Sequence, residues 1–251
     1  MMKRITMFFW VLTLLLSGCR ASIPLAGLPF GGNGLVAYYP FDGNTKDVSG
    51  HENHGEAKDI TLVQDRFGKD HNALSLDGVN DFLVVPYSKS LDLTESLSIS
   101  VWAQGGACSS CGGSLSGIVG KGPLVPYGLA IDDGDRVLFR VVSAGTFHNA
   151  LKTEAHINPS KWNHFVGVFK AGKYIKIYIN GNEAVNVTAD VPRSIDHSEE
   201  ELWIGSRAHS HDEQMAPLFY FEGAIDEVRI YSRALEPEEV QDLFSKGSGA
   251  V

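Results

Sequence analysis

Apolar and polar residues alternate with a period of two through run after run of this chain, and that spacing confines it to β-strands with one buried face. The alternation occupies residues 73–77, 82–86, 97–103, 136–142, 164–169 and 174–179. Glycine dipeptides separate the runs: Asp77-Gly78, Asp133-Gly134, Ala171-Gly172 and Asn180-Gly181. The last supplies both positive-φ residues that a type I′ hairpin turn requires. Strands at short, irregular spacing, with no repeat of solenoid or propeller length, predict a two-sheet sandwich. One helix is expected over residues 235–244, where Pro237, Glu238 and Glu239 precede Val240, Leu243 and Phe244 at helical spacing. The expected class is all-β, a two-sheet antiparallel β-sandwich with a short C-terminal helix.

The first residues follow different rules. Lys3 and Arg4 precede an apolar stretch from Met7 to Leu16 that is too short to span a bilayer comfortably. Residues 1–18 therefore read as a signal peptide. Its end, Leu16-Ser17-Gly18-Cys19, resembles the lipobox of bacterial lipoproteins, which implies a diacylglycerol on Cys19. Acyl chains contribute roughly 0.8 kcal/mol per buried methylene, so two or three of them hold a soluble domain at a membrane. Residues 19–34 are rich in Gly, Pro, Ala and Ser and read as a tether. Residues 35–246 read as one domain and 247–251 as a tail. Arg20 instead of aspartate after Cys19 points to the outer membrane in an organism that has two.

The formal charge is −9, and removing Lys3 and Arg4 with the leader takes it to −11. Such a surface disfavours nucleic acid and anionic headgroups and suits glycans, cations or basic partners. With Cys19 assigned to lipid, Cys108 and Cys111 remain as an even pair in a Gly/Ser-rich loop, and a local disulfide is expected in an oxidising compartment. Gly112-Gly113 is a poor helix start for a redox pair, and a zinc site would need two further ligands nearby.

Several segments appear in an order that adds information. They are Leu35-Val36-Ala37-Tyr38-Tyr39-Pro40-Phe41-Asp42-Gly43-Asn44, Asp47-Val48-Ser49-Gly50, Leu74-Ser75-Leu76-Asp77-Gly78, Ser98-Ile99-Ser100-Val101-Trp102, Trp162-Asn163-His164-Phe165-Val166, Leu202-Trp203-Ile204-Gly205 and Gly223-Ala224-Ile225-Asp226-Glu227-Val228-Arg229-Ile230-Tyr231. Together they resemble laminin-G-like, concanavalin A-like jelly-roll domains, in a bacterial branch similar to pentraxins. The resemblance implies a convex and a concave sheet, with the first and last strands paired. It also implies a structural Ca²⁺ held by Asp42, Asn44 and Asp226, helped by backbone oxygens near Ser49 and Ala224. Hard cations take six to eight oxygens and tolerate irregular loops. The other reading makes Asp42 a turn cap and pairs Asp226 with Arg229 or Lys46.

Trp102, Trp162 and Trp203 sit in alternating runs and read as core. Loop aromatics are better sugar platforms: Tyr87, Tyr127, Phe147, Phe219 and Tyr220. The expected ligand site on the concave face combines Tyr127 with Asp132, His148, Asn149 and Arg207. His209-Ser210-His211 and the acidic run 196–201 read as solvated loops. Glycoside hydrolases of this superfamily set two glutamates along one strand, and no Glu-x-Asp-x-x-Glu pattern occurs here. Phe169-Lys170-Ala171-Gly172-Lys173-Tyr174 looks like a segment of alginate lyases, yet Ala155-His156-Ile157 lacks the glutamine that such enzymes need. The expectation is a non-catalytic, membrane-anchored domain that binds carbohydrate at the cell envelope. The alternative is a protein-binding adhesin or a structural envelope lipoprotein. Expected partners are a glycan or a cell-surface protein, and not nucleic acid.

Overall fold

A computed structural model describes residues 33–107, 115–122, 126–132, 134–151, 157–206 and 220–247, all within the unit that begins at Gly31. The expected signal peptide, Cys19, Cys108, Cys111, Arg207 and the His209-Ser210-His211 run lie outside these residues. In chain order the strands are β1 (Leu35–Tyr39), β2 (Glu56–Lys58), β3 (Thr61–Val63), β4 (Ala73–Asp77), β5 (Phe82–Val85), β6 (Leu97–Ala107), β7 (Leu115–Lys121) and β8 (Tyr127–Asp132). They continue with β9 (Val137–Ser143), β10 (Thr146–Leu151), β11 (Asn163–Lys170), β12 (Tyr174–Ile179), β13 (Asn182–Val187), β14 (Leu202–Ile204) and β15 (Phe221–Tyr231), before the helix α1 (Pro237–Gly247). β4 and β12 have the bounds that the alternation predicts.

The strands form two antiparallel sheets. One has the order β13-β12-β11-β6-β15-β4-β3, with β1 also paired to β15; the other runs β10-β9-β8-β7-β14-β5-β2. First and last strands are neighbours, as the resemblance implies: Tyr39 lies opposite Val228. β4 and β1 share one edge of β15, β4 opposite Glu222 to Ile225 and β1 opposite Val228 to Tyr231. The change of partner coincides with a register shift between Asp226 and Arg229, where Glu227 adopts φ 55°. Such a bulge re-aims the side chains beside it.

Inward residues of both sheets, among them Leu97, Ile99, Val101, Phe139, Val141, Phe165 and Phe169, make one apolar core. Burying each large side chain contributes roughly 1.5–3 kcal/mol. Gly167 is glycine for a steric reason: a Cβ there would stand 2.2 Å from the Phe139 ring. Asn180 (φ 51°) and Gly181 (φ 80°) make the tight β12–β13 turn that their dipeptide predicts. Residues 170–174, the lyase-like segment, form the β11–β12 hairpin turn, where the Lys173 N–H donates to the Lys170 carbonyl at 2.9 Å.

Part of the outer face of the eight-stranded sheet is covered by α1, whose Val240 and Leu243 pack on Val166, Val168, Tyr178 and Tyr231. Glu239 starts the helix by accepting both Arg233 guanidinium N–H groups (2.6 and 2.7 Å) and the Glu236 N–H (2.9 Å). The helix continues to Gly247, three residues past the expected end, and Arg66 Nε donates to the Gly247 carbonyl. Trp102 belongs to this outer face and not to the sandwich core. It is buried against Phe244, ring centres 5.8 Å apart, while Trp162 and Trp203 are half-buried. The helix covers only part of that outer face, where a groove of about 730 Å³ beside Ser75, Gln104, Gly105 and Gly223 stays open, whereas among the described residues no helix packs on the seven-stranded sheet.

Candidate functional site

Directly paired residues of a sheet share a face, so strand register shows what that surface presents. One outward row crosses all seven strands: Asn149, Arg140, Gly128, Gly120, Trp203, Val84 and Glu56. Gly128 and Gly120 stand side by side between Arg140 and Trp203, so backbone without side chains floors a narrow trough of about 20 Å³ between two large side chains, and both glycines are buried. Three inter-strand steps put its banks about 14 Å apart. Leu138, Ala130 and Ser206 also line it.

Each bank has distinct chemistry. On one side the Trp203 ring packs on Phe82 at 4.6 Å, and Phe82 lies nearly parallel to Tyr220 at 6.3 Å, giving an aromatic wall. On the other, Arg140 Nε donates to Asn149 Oδ1 at 2.8 Å, and its guanidinium sits 4.5 Å from the centre of the Phe147 ring. Partial burial presses the Arg140 pKa below its ordinary value, yet a guanidinium keeps its charge.

Beyond Phe147 the sheet edge opens into a cleft of about 490 Å³, walled by Val142, Gly145, Phe147, Asp196, His197, Glu199 and Glu200. Arg140 lines the trough and Phe147 the cleft, so this ring, 49% exposed, divides the two. The 196–200 loop is fixed in place. Asp196 accepts the Ala144 and Gly145 N–H groups (2.6 and 2.8 Å) at the tip of the β9–β10 hairpin, and its own N–H donates to the Val142 carbonyl at 2.8 Å. Asp92 holds His197 Nδ1 at 2.7 Å and accepts the Ser198 N–H at 3.2 Å. Behind the loop, buried Lys121 donates to the Glu200 carbonyl at 2.6 Å, and desolvation lowers its pKa.

Of the expected ligand residues, the structure keeps Asn149 on this face and moves three others. Tyr127 is 1% exposed and faces the core, where its hydroxyl donates to the Leu91 carbonyl at 2.7 Å; it offers no ring face to a ligand. Asp132 is buried with its oxygens committed to the β8–β9 turn, accepting the Gly134 and Arg136 N–H groups at 3.0 Å and the Arg136 guanidinium at 2.7 Å. Burial pushes the Asp132 pKa up, but these donors outweigh it and the net direction is down. His148 pairs with core-facing Val141 and so points to the opposite side of the sheet from Asn149. Arg207 and Phe219 lie outside the described residues, and Tyr220 is buried.

Each side chain expected to hold Ca²⁺ already has a protein partner. Asp226 is buried and ion-paired with Arg66. Asp42 takes the Asn72 amide and, at 3.5 Å, the Lys69 ammonium. Asn44 closes a local turn, accepting the Lys46 N–H and donating to the Asp42 carbonyl, both at 2.9 Å. Among the described residues no three His, Cys, Asp or Glu side chains are placed to share an ion. The first-strand loop is instead organised by Asp47, a residue the sequence reading passed over. Its buried carboxylate accepts N–H groups of Tyr38 (2.9 Å), Ser49 (2.8 Å) and Asn53 (3.0 Å) and the Ser49 hydroxyl (2.8 Å).

Comparison with known proteins fits this architecture. Residues 77–241, more than half of the chain, match the family model described as the concanavalin A-like lectin/glucanases superfamily. The human adhesion G-protein coupled receptor D1 is 31% identical over 122 residues, 44% of this chain and 13% of the receptor. Among solved structures, the binding domain of Paraclostridial mosquitocidal protein 1 superposes with a TM-score of 0.70 at 19% identity, over 87% of this chain and 53% of that one. Domain 4 of AbnA, a GH43 extracellular arabinanase from Geobacillus stearothermophilus solved with arabinotriose, superposes with a TM-score of 0.63 at 23% identity, over 84% of this chain and 98% of that one. The chain thus spans about half of the toxin domain and a small part of the receptor, and at these identities the solved structures speak for the fold. With the family model covering most of the sandwich, this chain belongs to the concanavalin A-like lectin/glucanase superfamily, in its laminin-G-like branch.

Proposed function

We propose that the domain binds a glycan along the outer face of its seven-stranded sheet and performs no chemistry on it. The transverse row carries this reading. The glycine floor keeps side chains out of the middle of the row, the Trp203 side offers an aromatic surface for C–H faces, and the Arg140–Asn149 pair presents planar donors to adjacent hydroxyls. Arabinotriose in the similar arabinanase domain supports an oligosaccharide as ligand. No carboxylate stands in the row between Asn149 and Val84, whereas glycoside hydrolysis uses a pair of them. Calcium has no part in this reading.

The test is a glycan array followed by titration calorimetry on the hits. Gly128→Val, which fills the floor, and Trp203→Ala, which removes the wall, are each expected to weaken binding at least tenfold, about 1.4 kcal/mol. Unfolding curves control for stability. Full affinity in both folded variants would place the ligand elsewhere.

The Leu16-Ser17-Gly18-Cys19 motif supports a domain presented from a membrane by lipid on Cys19. Cys19→Ala is expected to shift the protein from the membrane pellet to the soluble fraction. A variant that still pellets with membranes would remove the lipid anchor from this reading.

A further inference from the structure

We infer that the bound glycan carries positively charged amines, which the cleft beside Phe147 selects over neutral and acidic groups. This rests on the glycan-binding reading above and narrows its ligand class. The cleft wall holds Asp196, His197, Glu199 and Glu200 with Phe147, and among the described residues no lysine or arginine lines it. Lys121 is buried behind the loop with its ammonium on the Glu200 carbonyl, and Arg140 stacks on the Phe147 ring.

The acids divide by what they already do. Asp196 is committed to the hairpin tip and Asp92 to His197 and Ser198. Glu199 is 76% exposed, with His197 Nε2 at 3.8 Å. Glu199 and Glu200 are thus the carboxylates placed to meet a ligand. Phe147 adds the second element. Arg140 sits over the ring at 4.5 Å, and the same ring lines the cleft and is 49% exposed. An ammonium there gains from the ring quadrupole and from two carboxylates together, whereas a uronate brings like charge against both. The net charge of −9 extends the same bias to the approach of a polyanion.

The experiment titrates the full chain with hexamers of glucosamine, N-acetylglucosamine, glucose and glucuronic acid, alongside the array. The glucosamine hexamer is expected to bind about tenfold tighter than its N-acetylated counterpart at low salt. Raising salt from about 50 mM to about 500 mM should erase most of that preference, because screening acts on the ammonium alone. Phe147→Ala and Glu199→Gln/Glu200→Gln should abolish the preference with the melting temperature unchanged, both sites being exposed or on the loop surface.

Equal binding of the glucosamine and N-acetylglucosamine hexamers, or tighter binding of the glucuronate, overturns the amine inference and leaves the glycan reading standing. So does binding confined to neutral sugars on the array. If the wild-type chain binds no sugar at all, the glycan reading falls and the amine inference with it.

Discussion

In urea unfolding, Asp226→Ala is expected to cost about 3–5 kcal/mol, because it leaves a buried guanidinium without its partner. Arg66 comes from the loop between β3 and β4, and its side chain is 8% exposed. It donates to Asp226 on β15 and to the Gly247 carbonyl at the end of α1, with its guanidinium 4.9 Å from the centre of the Trp102 ring and 4.4 Å from that of Phe67. One side chain thereby ties a loop, a strand and the terminal helix. Whether Asp226 is ionised or protonated, its carboxyl is the acceptor that satisfies this guanidinium, and alanine also leaves a void opposite Trp102. The double variant Arg66→Met/Asp226→Leu replaces the pair by apolar groups of similar size and should cost less than Asp226→Ala alone. A strictly additive cycle would show that the two side chains do not act as a pair.

This pair marks a limit of what the sequence discloses. The alternation of Leu97, Ile99 and Val101 against Ser98 and Ser100 sets strand and face at once, because only one phase buries the apolar set. Asn180-Gly181 gives its turn for an equally local reason. In β8, Tyr127-Gly128-Leu129-Ala130-Ile131 is apolar in both phases, so nothing local says that Tyr127 faces the core and Gly128 the ligand face. Phe147-His148-Asn149 is ambiguous in the same way, being an edge strand without a clear apolar face. The glycine floor is a fact of register between β7, β8 and β14, and Trp203 reaches Gly120 only through tertiary pairing. Arg66 lies in a polar loop beside Asp65 and Gly68, with no periodicity to announce that it is buried. The acidic 196–200 run was legible as composition. That it walls a cleft depends on Asp196 gripping a hairpin tip distant in sequence.

The same region sets the second large effect, a pH profile with two opposed slopes. Burial pushes Asp226 from the ordinary 3.8 up to about 8, Arg66 pulling against it and Glu227 and Asp65 adding to it. Between these values the native state holds a proton that the unfolded chain has released. Stability from this group is therefore complete below about pH 4 and lost as pH rises through about 8. His164, buried between Trp102 and Phe244 with Nε2 2.9 Å from Ser100 Oγ, is driven from 6.5 down to about 3 by desolvation, with Arg229 and Arg66 assisting. Here the unfolded chain holds the extra proton, so its contribution is complete above about pH 6.5 and lost as pH falls toward 3. From about pH 4 to 6.5 the two slopes cancel, and above that the Asp226 slope acts alone, roughly 1 kcal/mol for each pH unit. Relative to wild type, Asp226→Asn should therefore gain stability steadily from about pH 4 to 8, and His164→Phe should gain as pH falls from about 6.5 to 3. These differences are read from urea midpoints across the range, which removes the shared titration of surface carboxylates. An Asp226→Asn curve parallel to wild type between pH 6.5 and 8 would mean that Asp226 ionises well below neutrality, with the Arg66 attraction outweighing burial.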